Sequence, residues 1–195
     1  MQAKKTLIAA AVLTSILTIF LITTGFTPAA YTVSVNDGVK ASDRFGPADV
    51  NVYVYKNGEL VAVSHNIITN AGTKLFRDAI HVSNKTAADK ARYIALSTDG
   101  TAPAYTDTSC PSEITSGGLQ RANATVTTQA GPANGDITVR VENTFTASSA
   151  FSGVQKACLW TQSSGGILYA VATFSAVNLA ANDQLTIRWD FSYNN

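Results

Sequence analysis

Apolar and polar residues alternate with a period of two through most of this chain. The alternation is clearest over residues 49–55, where the three valines fall on one face of an extended strand. Asn57 and Gly58 follow, a pair typical of a two-residue hairpin turn because both turn positions require a positive φ. Residues 60–64 then predict the returning strand. This hairpin indicates an antiparallel β protein.

Further extended segments recur along the chain, separated by short breaks rich in Gly, Asn and Asp. They are residues 92–97, 121–128, 136–146, 154–161, 167–174 and 184–191. Regular short strands with such breaks are typical of two-sheet folds. We therefore predict an all-β fold over residues 48–195, a jelly-roll or β-sandwich. Large aromatic side chains are expected to anchor its core, namely Trp160, Phe174, Trp189 and Phe191.

One segment departs from the period of two. Residues 70–80 carry apolar side chains at helical spacing, and Asn70 can accept a backbone N–H as the N-cap. The apolar stripe consists of Ala71, Leu75, Phe76, Ala79 and Ile80. This pattern predicts one short helix, packed across one end of a sheet.

The first 30 residues have the composition of an export signal. Lys4 and Lys5 precede an uncharged run over residues 6–26, and small residues follow up to Ala30. A basic start, an apolar run and a small-residue exit are typical of a secretory signal peptide. A run of this length is also long enough to span a bilayer as a permanent anchor. We predict a signal peptide over residues 1–30, with a membrane anchor as the alternative, and hence an extracellular or cell-surface location.

Cys110 and Cys158 are the two cysteines of the chain. In an exported protein an even number of cysteines indicates a disulfide. Such a bridge would tie an irregular segment around Cys110 to a predicted strand; two unrelated buried thiols are the alternative. Two sequons, which begin at Asn84 and Asn123, are candidate sites for N-linked glycans.

Charge and composition exclude several function classes. The chain has a formal net charge of +1, and removal of residues 1–30 leaves a net charge of −1. Because no cluster of Lys and Arg is present, we expect no nucleic-acid partner. Motifs of hydrolases, nucleotide-binding loops and zinc sites are missing, and His65 and His81 are interpreted as surface or capping residues. We expect no enzyme activity, no cofactor and no metal.

A second alternating segment lies just after the predicted signal peptide. Tyr31, Val33 and Val35 share one face of residues 31–36, and a polar linker that runs to Pro47 follows. A segment on such a linker can leave its own domain and add as a strand to the sheet of a neighbour, with its apolar side chains in the neighbour's pockets. The alternative is that residues 31–36 form the first strand of their own sheet.

The order of these parts resembles a known family of surface filaments. A signal peptide, a β-patterned N-terminus that begins at Tyr31 and a β domain rich in Thr, Ala and Asn are similar in plan to archaeal bundling-pilus and thread subunits. TasA-type biofilm fibres share this plan, and their subunits join by donor strands. The resemblance implies a secreted subunit that polymerises with copies of itself by donor-strand complementation through residues 31–36. Exposed Thr, Ser and Asn would then serve lateral bundling or carry glycans.

A second resemblance points to viral structural proteins. Residues 66–72, residues 93–97 and Pro103-Ala104 are similar to a β-domain of phage tail and virion proteins. The signal peptide favours the filament over a virion component. A membrane-anchored binding module and a secreted carbohydrate-active enzyme are the remaining alternatives.

Overall fold

The computed structural model describes residue 47 and residues 49–81, 90–131 and 135–193. The predicted signal peptide, Tyr31, Val33, Val35 and Asn84 lie outside these residues. The described chain forms two antiparallel five-stranded sheets and one short helix, which confirms the predicted all-β sandwich.

Ten strands and one helix follow one another in the described part of the chain. They are β1 (Asp49–Lys56), β2 (Glu59–His65), β3 (Ile67–Ile68), α1 (Asn70–His81), β4 (Tyr93–Ser97), β5 (Ala122–Asn123), β6 (Thr125–Ala130), β7 (Ile137–Thr146), β8 (Phe151–Trp160), β9 (Leu168–Leu179) and β10 (Gln184–Tyr193). Sheet A has the order β2-β1-β10-β7-β6, and sheet B has the order β3-β9-β8-β4-β5. The first hairpin forms as predicted, with φ of 50° at Asn57 and 83° at Gly58.

The helix begins where expected, but its cap is a different residue. The Thr69 hydroxyl oxygen accepts the Gly72 N–H at 3.0 Å, whereas Asn70 donates its own N–H to another loop. Thr69 is fully buried, and its hydroxyl also donates to the Leu168 carbonyl of β9. This second hydrogen bond holds the hydroxyl oxygen in place at the start of the helix, where it acts as the cap. The prediction of Asn70 as the cap is therefore wrong. A Cβ at Gly72 would lie 2.2 Å from the Tyr169 carbonyl oxygen, so this close approach of helix and strand requires glycine.

The segment predicted as one strand over residues 121–128 is two strands in different sheets. Asn123 pairs with Tyr93 in sheet B, whereas Thr125 pairs with Glu142 in sheet A. Between them, Ala124 is buried and donates its N–H to the Arg92 carbonyl at 2.7 Å. Because both strands keep the same alternation, the pattern alone does not reveal the change of sheet.

Two apolar clusters stabilise the sandwich. The larger one lies between the sheets and includes Trp189 and Phe191, as predicted, with Phe174 partly buried against it. Trp160 is buried as predicted, but in a second, smaller cluster that contains both cysteines. The reason is its register in β8, because Leu159 points into the main core and the next side chain must point away from it.

Candidate functional site

Strand β6 forms an edge of sheet A with an uncovered inner face. Val126 pairs with Val141 and Ala130 pairs with Ile137, so these side chains lie on the same face of sheet A as the buried core. Yet all six residues of β6 are exposed, and Val126 and Ile137 are 48% and 44% exposed. The apolar face of the sheet therefore continues beyond the part that sheet B covers.

An apolar cleft of about 470 Å³ adjoins this uncovered face. It lies between α1, the inner face of sheet A and the ends of two strands of sheet B. Its apolar lining is contributed by Leu75, Phe76, Ala79, Ala91, Val126, Val139, Val141, Leu159, Tyr169, Phe191 and Tyr193. Two aromatic contacts shape the wall, since Phe76 stacks on Tyr193 at 6.4 Å and Tyr169 meets Phe191 edge-on at 5.9 Å. A cleft of this size and composition holds several aliphatic or aromatic side chains.

The short β5 explains why the cleft is open. This strand has two residues, which pair with Tyr93 and Ile94 only, and the chain then leaves sheet B at Ala124. Sheet B thus provides little cover on the side of β6.

The backbone of β6 is also free along one side. Its register with β7 is regular from Thr125 to Ala130, and no strand in the described part of the chain pairs with its other side. The strand contains no lysine, no proline and no β-bulge, which are the usual means by which proteins protect an edge. A further strand can therefore add here by main-chain hydrogen bonds.

The rim of the cleft carries positive charge. Lys90 and Arg92 both line it, and Nε of Arg92 is buried without a hydrogen-bond partner. Within the described ranges, neither side chain has a carboxylate at ion-pairing distance. Burial raises the pKa of Tyr169 and of Tyr193, so both phenols stay neutral at physiological pH. The cleft is therefore apolar inside and cationic at one end.

The predicted disulfide forms, but it lies away from the cleft. Cys110 and Cys158 are bridged with a Cα–Cα distance of 6.2 Å. Cys158 is fully buried in β8, and Cys110 lies in the long connection between β4 and β5. Arg121, from the same connection, stacks over the Trp160 ring at 4.1 Å. The disulfide thus holds this connection against the outer face of sheet B.

The other candidate residues fall in different places. Asn123 is exposed in β5, and its sequon continues into the first residue of β6, so glycosylation there stays a prediction. Nδ1 of His65 lies 3.8 Å from an Asp49 carboxylate oxygen, and His81 is the last residue of α1. No group of three or more potential metal ligands occurs in the described residues. The same residues contain no helix with the length and hydropathy needed to cross a bilayer.

The sequence patterns do not predict the open edge of β6 or the cleft beside it. Val126 was visible as an apolar residue in a Thr-rich strand, and Val139 as one of an alternating set. Whether such residues face a covered or an open part of the sheet depends on strand order, which the alternation does not encode.

Comparison of the chain with protein-family models, with curated proteins and with solved structures gave no match.

Proposed function

We propose that this protein is a secreted structural subunit of an extracellular filament, a pilus or biofilm fibre. Residues 31–36 of one copy would add as a strand to the free edge of β6 of the next copy. The observation that carries this proposal is the combination of a regular, unpaired backbone edge with an apolar cleft beside it.

The segment and the acceptor match in length and pattern. The segment has six residues, as does β6, which allows main-chain pairing along the whole edge. Tyr31, Val33 and Val35 share one face of the segment and would enter the cleft, while the polar face would meet solvent. Burial of each apolar side chain contributes roughly 1.5–3 kcal/mol before the costs of ordering the segment.

A contact of this kind produces a filament. The donor segment and the acceptor edge are different surfaces, so the contact is head-to-tail and does not close on itself as a two-fold dimer does. Residues 38–47 are the polar linker, and a chain of ten residues reaches about 33 Å when extended. A net charge near zero favours the close packing of like copies.

Removal of the donor segment tests the proposal. The full chain, exported and recovered from the medium, should form thin filaments in electron micrographs, and mass spectrometry should place its N-terminus near Ala30 or Tyr31. Deletion of residues 31–36 should leave folded monomers, because the acceptor cleft then has no occupant.

A matched pair of substitutions separates the segment's two faces. Val33→Asp should abolish filaments, because a carboxylate would enter an apolar cleft. Thr32→Asp adds the same charge on the opposite face and should leave filaments intact. Filaments from the deletion variant would overturn the proposal. Monodisperse particles of the unaltered chain that retain residues 6–26 would also overturn it and indicate an anchored surface domain.

A further inference from the structure

Among the described residues, Arg92 has no carboxylate at ion-pairing distance at the edge of the cleft. Its Nε is buried and has no hydrogen-bond partner, and its guanidinium lies over the Tyr93 ring, 5.8 Å from the centroid. A buried, unpaired donor on a charged group is costly, so such a group normally has a hydrogen-bond partner, and an anion is the partner that also balances its charge. Lys90, on the same rim, adds a second positive charge.

The donor segment carries a negative charge at the matching position. Residues of one strand face alternate with a period of two, so Asp37 continues the face that holds Tyr31, Val33 and Val35. Residues 31–36 themselves contain no charged side chain. One face of the segment is therefore apolar and ends in a carboxylate, just as the cleft is apolar and ends in two cations.

We propose that Asp37 of one copy pairs with Arg92 and Lys90 of the next copy and thereby sets the direction and register of the added strand. This inference rests on the proposed function, since it names the contact that orients the donor. Its partner is a second copy of this chain, chosen by charge complementarity between Asp37 and the cationic rim.

The position of Arg92 fixes the direction. The Arg92 carbonyl accepts the N–H of Ala124, the residue just before β6, so the cationic rim lies at the Thr125 end of the strand. With Asp37 at this end, Tyr31 lies at the Ala130 end, and the donor runs antiparallel to β6.

The same placement fixes the register. Asp37 opposite Ala124 brings Val35 opposite Val126, and Ser34 opposite Thr127. Directly opposed residues share a face, so the apolar residues of the donor fall on the inner face of β6, where Val126 lines the cleft. Without the charged pair, three apolar residues at equal spacing would fit equally well after a slip of two positions.

Removal of either charge tests the pairing. Asp37→Asn and Arg92→Gln should each raise the critical concentration for filament growth about tenfold, the value expected for loss of one charge-assisted hydrogen bond. Lys40→Gln removes a charge from the linker that follows the donor segment and should leave the critical concentration unchanged. The exchanged variant Asp37→Arg with Arg92→Glu should return the critical concentration most of the way to its original value. Such recovery would distinguish loss of the charged pair from a folding defect caused by the change at Arg92.

A cross-link tests the direction and the register. Cysteines introduced as Ser34→Cys and Thr127→Cys should form an intermolecular disulfide in filaments, and Ser34→Cys with Thr125→Cys should cross-link poorly. Filaments of Asp37→Asn with the critical concentration of the unaltered protein would overturn this inference and leave the proposed function standing. More cross-linking with Thr125→Cys than with Thr127→Cys would also overturn this inference. A chain that forms no filaments at all would instead overturn the proposed function.

Discussion

The two edges of sheet A are built differently. Strand β6 is regular and unpaired beside an open cleft, whereas β2 contains a β-bulge, with a register shift opposite Val54 and Tyr55. Side chains also tie β2 and its turn to sheet B, since the Ser64 hydroxyl donates to the Thr173 carbonyl at 2.5 Å and Nζ of Lys56 donates to the Asn178 carbonyl at 3.0 Å. Side chains of the same domain thus bind one edge strand to sheet B, whereas no strand in the described residues pairs with the outer side of β6.

Exposure alone does not distinguish these edges. Val63 of β2 is 54% exposed and Val126 of β6 is 48% exposed. Val63 lies opposite Tyr53 on the outer face of the sheet, where Arg188 covers the Tyr53 ring, whereas Val126 lies on the inner face that continues the core. The two valines therefore differ in the face of the sheet on which they lie rather than in exposed area, and only the face of Val126 continues the core.

The largest effect should come from a charge on each edge in turn. Val126→Lys places an ammonium group in the apolar cleft and should raise the critical concentration for filament growth by roughly a hundredfold or more. Val63→Lys places the same group on the outer face of β2 and should change the critical concentration little. Sedimentation of filaments at steady state measures both values. Equal losses would show that β2 takes part in assembly and would remove the distinction between the edges.

A smaller effect, on the free energy of unfolding, should follow removal of the side-chain hydrogen bond between β2 and sheet B. Ser64→Ala removes the hydrogen bond to the Thr173 carbonyl and should lower the free energy of unfolding by about 1 kcal/mol. Thr128→Ala on β6 removes an exposed hydroxyl, and the free energy of unfolding should stay the same. Chemical denaturation of the monomeric deletion variant measures both. A free energy unchanged by Ser64→Ala would mean that the side-chain tie does not close this edge.

The smallest effect should be the loss of local stability at the turn between β1 and β2 when acid protonates Asp183. Hydrogen bonds from the Asn57 amide, the Ala180 N–H and Lys56 lower the pKa of Asp183 to about 2. Because this pKa lies below the unfolded value of 3.8, the stabilisation is complete above about pH 4 and is lost as the pH falls through 2. Acid should therefore speed amide hydrogen exchange in β2 more than in β6, after correction for intrinsic rates. Asp183→Asn should remove this difference, and its persistence in that variant would contradict the assignment.

Local signals in the sequence were enough for several elements. Asn57 and Gly58 specified the hairpin because few other residues adopt a positive φ at both positions. The two cysteines were paired correctly because an even count of two allows one pairing. The cap and the change of sheet were not predictable, because Thr69 and Ala124 acquire their roles from carbonyl groups brought close by the fold.

Most of the strands, the helix, the first turn and the disulfide follow from the sequence alone, since each depends on neighbours in the chain or on the number of cysteines. Within the described residues, the open edge of β6, the position of Val126 in an apolar cleft and the unpaired Nε of Arg92 at its rim depend on the tertiary structure. The physical reason is that alternation specifies which residues share a face of a strand. Which strands lie beside and above that face is set by long-range packing.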